Sequence, residues 1–259
     1  MTEELLGAIA AVILVMTRIG TVFALSPYFG APFLPGMVRV FCAGALSVLF
    51  VISEPALRAG GGWDRVLSGL PGELTVGALL SLGLGLAFWA AQMGGALIDF
   101  QLGFGLGGMA DMGDQAPTPL LGRLYYYVAV AVFLAVGGDR AFLSAAWASL
   151  RLLPPGGALL GEPTLTAMMG QAAGAFALGV QLAAPVLAAI FLTDILLGMV
   201  SRALPQLNPF FEGLPLKSAL GIMVVMGSLP AVGLALRAAF TGLTASLVEL
   251  MTSTPAALP

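Results

Sequence analysis

Two long stretches of this chain, Leu74–Ile98 and Ser218–Leu236, carry no charged residue at all. A helix needs about 20 predominantly apolar residues to cross the hydrocarbon core of a bilayer, and both stretches come close to or exceed that length. Four further apolar windows accompany them: Leu5–Leu25, interrupted by Arg18, then Val40–Ser53, Leu124–Gly138 and Pro163–Thr193. The last is long enough for one tilted helix, broken or bent near Pro185. Val40–Ser53 and Leu124–Gly138 are short and need flanking residues to span. Backbone facing lipid must be hydrogen-bonded within its own segment, which selects helices, and an outer-membrane barrel would show alternation instead of unbroken runs. The expectation is an all-α polytopic membrane protein built of helical hairpins.

Charge supports that class. Only 9% of residues are charged, against roughly 25% in soluble domains. The net charge of −3 offers no basic face for nucleic acid. Histidine is absent, which excludes a Ser-His-Asp triad, a Cys-His dyad and a histidine zinc site. That removes the commonest general base and the commonest metal ligand. The one cysteine, Cys42, lies in an apolar run and reads as a small buried hydrophobe. The first charges are Glu3 and Glu4 and not a basic cluster, so the N-terminus does not read as a cleavable signal.

The connections are expected at Ser26–Arg39, Glu54–Glu73, Asp99–Arg123, Gly138–Glu162 and Gly198–Lys217, all rich in Gly or Pro. On a six-span arrangement, Arg39, Arg123, Arg202 and Lys217 fall on one side and Arg58, Arg65, Arg140, Arg151 and Arg237 on the other. That balance carries no positive-inside signal. It suggests that partner subunits, and not lipid alone, bury some of the apolar surface. Gly170 with Gly174, and Gly103 with Gly107, are small-xxx-small pairs that suit close helix packing, within the chain or against another subunit.

Three charges sit in or beside the apolar runs: Arg18, Asp99 and Asp194. A charge near a bilayer centre costs at least a few kcal/mol, so each needs a partner or water. Asp194 and Arg202 are about 12 Å apart along one helix, too far for a direct pair. A partner for Asp194 on another helix or chain is one reading, and a proton-relay carboxylate of a small-molecule transporter is the other. Past Arg202, Pro205, Pro209 and Pro215 interrupt the pattern. They predict a helix ending near Leu204 and another starting at Leu216. Asn208 suits the turn between. Gly103–Gly108 satisfies G-x-G-x-x-G, but it follows a long apolar helix and not a strand, so it reads as a close-packing loop.

The order Asp194, Gly198, Arg202, Pro205, Gln206, Asn208, Gly213, Pro215 and Lys217 between two apolar spans resembles the bacterial export-gate family. That family contains the flagellar FliR proteins and their counterparts in virulence injectisomes. Arg18 with Gly20, Pro27, Pro35 and Arg39, and Gly137-Gly138-Asp139 with Leu152-Leu153-Pro154, extend the resemblance over nearly the whole chain. Pro209 and Glu212 depart from it, standing where apolar residues are common in the family. The resemblance implies a non-enzymatic inner-membrane subunit, without metal or cofactor, of a helical export gate for unfolded proteins. It implies FliP-like, FliQ-like and FlhB-like partners. It also implies one export-gate domain, with 1–182 P-like and 183–259 Q-like. Phe104, Met109 and Met112 would contribute to the channel constriction, bulky and deformable enough to seal a pore yet yield to a chain. Arg18, Asp99, Asp194, Arg202, Pro205, Gln206, Asn208, Gly213, Pro215 and Lys217 would serve packing within or between subunits.

Overall fold

The computed structural model describes residues 2–30, 35–58, 63–104, 119–156, 162–203 and 209–242, together with 245, 247 and 252. Among these, regular structure consists of seven α-helices and a short 3₁₀ turn, with no strand. In chain order they are α1 (Thr2–Leu25), α2 (Gly36–Ser53), the 3₁₀ turn (Pro55–Arg58), α3 (Trp63–Leu102), α4 (Leu120–Ala135), α5 (Gly138–Leu152), α6 (Glu162–Ala203) and α7 (Pro209–Thr241). Five of the described helices are long and apolar enough to cross a membrane, or six if α4 and α5 form one broken span. The protein is an all-α polytopic membrane protein.

Several boundaries differ from the sequence reading. α3 begins at Trp63, inside the expected Glu54–Glu73 connection, and continues through Pro71. The buried positions Val66, Gly69, Glu73, Val76, Leu80 and Leu84 explain why. Their spacing of three and four makes one helical face, and the gain from burying it outweighs one lost backbone bond. α5 fills most of the expected Gly138–Glu162 connection. It is amphipathic, with Phe142, Ala145, Ala146, Ser149 and Leu150 buried and Arg140 and Arg151 exposed, so a search for uncharged windows passes over it. α6 runs unbroken through Pro185. α7 starts at Pro209 and contains Pro215, which corrects the expected start at Leu216. Proline at the first helical position gives up only an N–H that has no intrahelical partner. An interior proline is tolerated where neighbouring groups satisfy the freed carbonyl. Cys42 is exposed, not buried. It stands beside Phe41 on the outward side of α2, which is apolar along its length (Met37, Val40, Phe41, Leu49, Ile52).

The chain divides into two compact units. The first comprises Met1–Leu86, Gly137–Ala172 and Thr241–Pro259, and the second Ala87–Val136 and Ala173–Phe240. In the first, Ala11, Val15, Ile19 and Phe23 of α1 pack with Ala43, Phe50 and Val51 of α2 and Ala146 and Leu150 of α5. Phe50 meets Trp147 edge-on at 4.7 Å. In the second, the buried rings of Phe88 (α3), Phe133 (α4) and Phe240 (α7) lie 5.0–5.4 Å apart in a mutual triangle, a geometry that adds to the energy of burial. There α3 and α6 touch backbone to backbone: a Cβ on Gly94 would lie 2.7 Å from the Gly179 carbonyl oxygen. Gly170 and Gly174 make no such contact, and a Cβ on either meets nothing within 4 Å.

Candidate functional site

Three charges in the apolar helices, Arg18, Asp99 and Asp194, are each engaged differently. Arg18 occurs on the buried face of α1, in step with Ala11, Val15 and Val22, and is fully buried. All five of its N–H donors have acceptors. Nε donates to Glu73 Oε2 at 2.7 Å and Nη2 to Glu73 Oε1 at 3.0 Å, a bidentate pair. Nη1 donates to the Ser149 carbonyl at 2.9 Å and to Ser149 Oγ at 3.2 Å, and Nη2 also donates to the Leu153 carbonyl at 2.8 Å. Those carbonyls lie at the C-terminal end of α5, where the helix dipole favours a cation; the Ser149 carbonyl also accepts the Leu153 N–H, and Leu153 is the C-cap. Glu73 Oε1 accepts a further bond from the Gly156 N–H at 2.8 Å. Arg65 donates to the Pro155 carbonyl at 3.0 Å. Gly156 has φ +86°, and a Cβ on the facing Gly69 would lie 2.8 Å from its Cα. The turn after α5 is thus bound to α1 and α3 by a satisfied polar network.

Glu73 is the member that sequence reasoning missed. It was read as the end of a connection, one residue before an apolar run. The signal lay in the periodicity through Val66, Gly69 and Val76, which places Glu73 on the buried face.

Asp99, near the C-terminal end of α3, is buried. Its Oδ2 accepts the N–H of Leu121 at 2.8 Å and of Gly122 at 3.0 Å, both in the first turn of α4. Asp194 of α6 forms an ion pair with Lys217 of α7, each partly exposed. The Asp194 partner lies on the neighbouring helix of the same chain. Gly213 faces Leu197 there, with a Cβ expected 2.9 Å from Leu197 Cδ1. Arg18, Asp99 and Asp194 thus differ in what they touch. Each has its own partner set.

Of the other sequence candidates, Arg202 is exposed in the last turn of α6, Pro215 is exposed within α7, and Phe104 is partly exposed just beyond α3. Met109, Met112, Pro205, Gln206 and Asn208 lie outside the described residues. Among the described residues no group of three His, Cys, Asp or Glu side chains could hold a metal ion. What the arrangement does chemically is bind helices to one another in an apolar setting.

Comparison with known proteins fits this picture. The family model described as bacterial export proteins, family 1, matches residues 9–243. The chain is 29% identical to the flagellar biosynthetic protein FliR of Bacillus subtilis, over 92% of this chain and 93% of the relative. It is 28% identical to the FliR of Aquifex aeolicus over 79% of each chain. It is 29% identical to the surface presentation of antigens protein SpaR of Shigella flexneri, over 80% of this chain and 82% of the relative.

Proposed function

This chain belongs to the bacterial export proteins, family 1, and from that premise we propose that it is a structural subunit of the flagellar type III protein export gate. It forms part of an inner-membrane channel for unfolded flagellar proteins, with FliP-like and FliQ-like subunits beside it and a FlhB-like protein docked on the gate. The observation that carries the flagellar reading is the similarity to a flagellar FliR over 92% of this chain. An injectisome role is the second reading, favoured by the similarity to SpaR over 80% of the chain. The polar sites support a structural and not an enzymatic role, since Arg18, Glu73, Asp99, Asp194 and Lys217 are engaged in joining helices. A small-molecule transporter would need Asp99 or Asp194 as its working acid. One is bonded to backbone amides and the other to Lys217.

Residues 1–182 are read as the P-like part and 183–259 as the Q-like part. Phe104, Met109 and Met112 are read as contributors to the constriction. A partner-covered surface is supported by α6. Its exposed large apolar residues run from Leu165 to Val200, a contour of about 52 Å at 1.5 Å per residue. A span tilted by up to about 40° crosses a 30 Å hydrocarbon core with no more than about 39 Å of helix. The remainder calls for cover by protein.

Co-purification tests this. A tagged chain extracted from source membranes in mild detergent is expected to bring P-like and Q-like subunits with it. Asp194→Ala is expected to lower that recovery more than it alters which substrates are exported. Recovery of the chain alone as a homogeneous species would contradict the proposal.

A further inference from the structure

We propose that Asp99 is a positioning residue: from α3 it caps α4 and so ties together the two stems of the segment between Gly103 and Pro119. The first N–H groups of any helix lack intrahelical acceptors and are usually met by the side chain at the N-cap. Here the N-cap is Pro119, whose side chain makes no such bond. The acceptor comes instead from 22 and 23 residues earlier in the chain, as Asp99 Oδ2 takes the N–H of both Leu121 and Gly122.

Three observations make this more than an ordinary cap. Asp99 is only 3% exposed, so water does not compete for the amides, and a carboxylate at a helix N-terminus has both charge-assisted bonds and the helix dipole in its favour. Its other oxygen, Oδ1, has no hydrogen-bond partner among the described residues, so the two amides are the side chain's working contacts. The backbones also meet here. A Cβ on Gly95 would lie 2.3 Å from the Leu121 carbonyl oxygen, and one on Gly122 would lie 3.2 Å from that of Gln92.

α3 ends within one turn of Asp99, at Leu102, and the next residue, Gly103, has φ +78°. The outgoing and returning stems therefore leave from one fixed point, and Asp99 sets their separation and the register of α4 on α3. This inference rests on the export-gate reading, because it makes Asp99 a residue that export depends on through α4.

The experiment uses the full chain in source membranes and compares wild type, Asp99→Ala and Asp99→Asn. Asn keeps an oxygen that can accept both amides, and Ala does not. Three quantities are read: amide hydrogen exchange of the peptide holding Leu121 and Gly122, the amount of chain in the extracted assembly, and substrate in the medium. Asp99→Ala is expected to speed exchange at those amides by about tenfold, the scale of a lost cap. It is expected to cut export by about as much while the assembled amount stays within about twofold, and Asp99→Asn restores all of it. Unchanged exchange in Asp99→Ala overturns the cap. An export loss that only tracks the assembled amount, or no export loss, overturns the positioning role. A defect in Asp99→Asn equal to that of Asp99→Ala overturns acceptance of the amides as the cause. If deleting the whole chain leaves export intact, the export-gate reading has failed, and the exchange result still decides the cap.

Discussion

Arg18 and Glu73 show what a charge must do to persist inside an apolar bundle. Each of the five guanidinium donors is met, and the acid is shared with the Gly156 amide. Removing one partner of such a buried pair leaves an uncompensated charge and costs about 3–5 kcal/mol, whereas replacing both by apolar groups is often neutral. Arg18→Ala and Glu73→Ala are therefore each expected to destabilise the chain by that order, and Arg18→Met with Glu73→Leu to recover much of the loss. Thermal unfolding in detergent measures this. Additive losses in the double variant would contradict the account. Lysine in place of Arg18 is expected to rescue poorly, because three donors on a point charge cannot serve four acceptor groups arranged around a planar fork.

At the scale of the element, close backbone approach matters most. α3 lies against the start of α4 at Gly95 and against α6 at Gly94. A methyl group on Gly95 would fall well inside van der Waals distance of the Leu121 carbonyl. Gly95→Ala is expected to cost about 1–3 kcal/mol, as overpacking does. Gly170→Ala, where a Cβ meets nothing within 4 Å, is expected to raise the isolated chain's stability by up to about 1 kcal/mol, the helix-propensity gain of Ala over Gly. Comparing the two in the same unfolding assay tests whether the contacts at Gly95 are as tight as the structure has them.

The helices were partly legible in the sequence. Apolar windows, uncharged but for Arg18 in the first, marked α1, α2, α3, α4, α6 and α7 because lipid-compatible spans tolerate few charges. α5 was not legible that way, since its signal is amphipathic periodicity with charged ends. The first eleven residues of α3 were hidden by Pro71 and Glu73, which look like connection residues until their spacing from Val66 and Val76 is counted. Arg18 was visible as a charge needing a partner. That its partner is Glu73 was not, because a pairing across 55 residues leaves no local trace. The same holds for Asp99 and the amides of α4. Proline was over-read at Pro215, where tertiary packing carries a helix through a residue that a solvated helix rejects.

For the whole molecule, the telling quantity is how much apolar surface it leaves uncovered. The most apolar windows of α2 and α7 are only 22% buried and that of α6 only 28%. Phe176, Phe191, Leu196, Met199, Met223 and Met226 are among the exposed side chains. Lipid covers part of this, but the apolar flank of α6 is longer than a bilayer core accommodates. On the proposed reading the molecule is one piece of a larger helical assembly, with Arg18, Glu73, Asp99, Asp194 and Lys217 engaged in internal joints and its apolar faces left for neighbours.

The central claim is that this assembly exports flagellar proteins. Its most direct test is a clean deletion in the source bacterium, scored for motility and for flagellin and hook protein in the medium. The account predicts a non-motile strain that exports neither protein and is restored by a plasmid copy. A fully motile strain with normal export would contradict it.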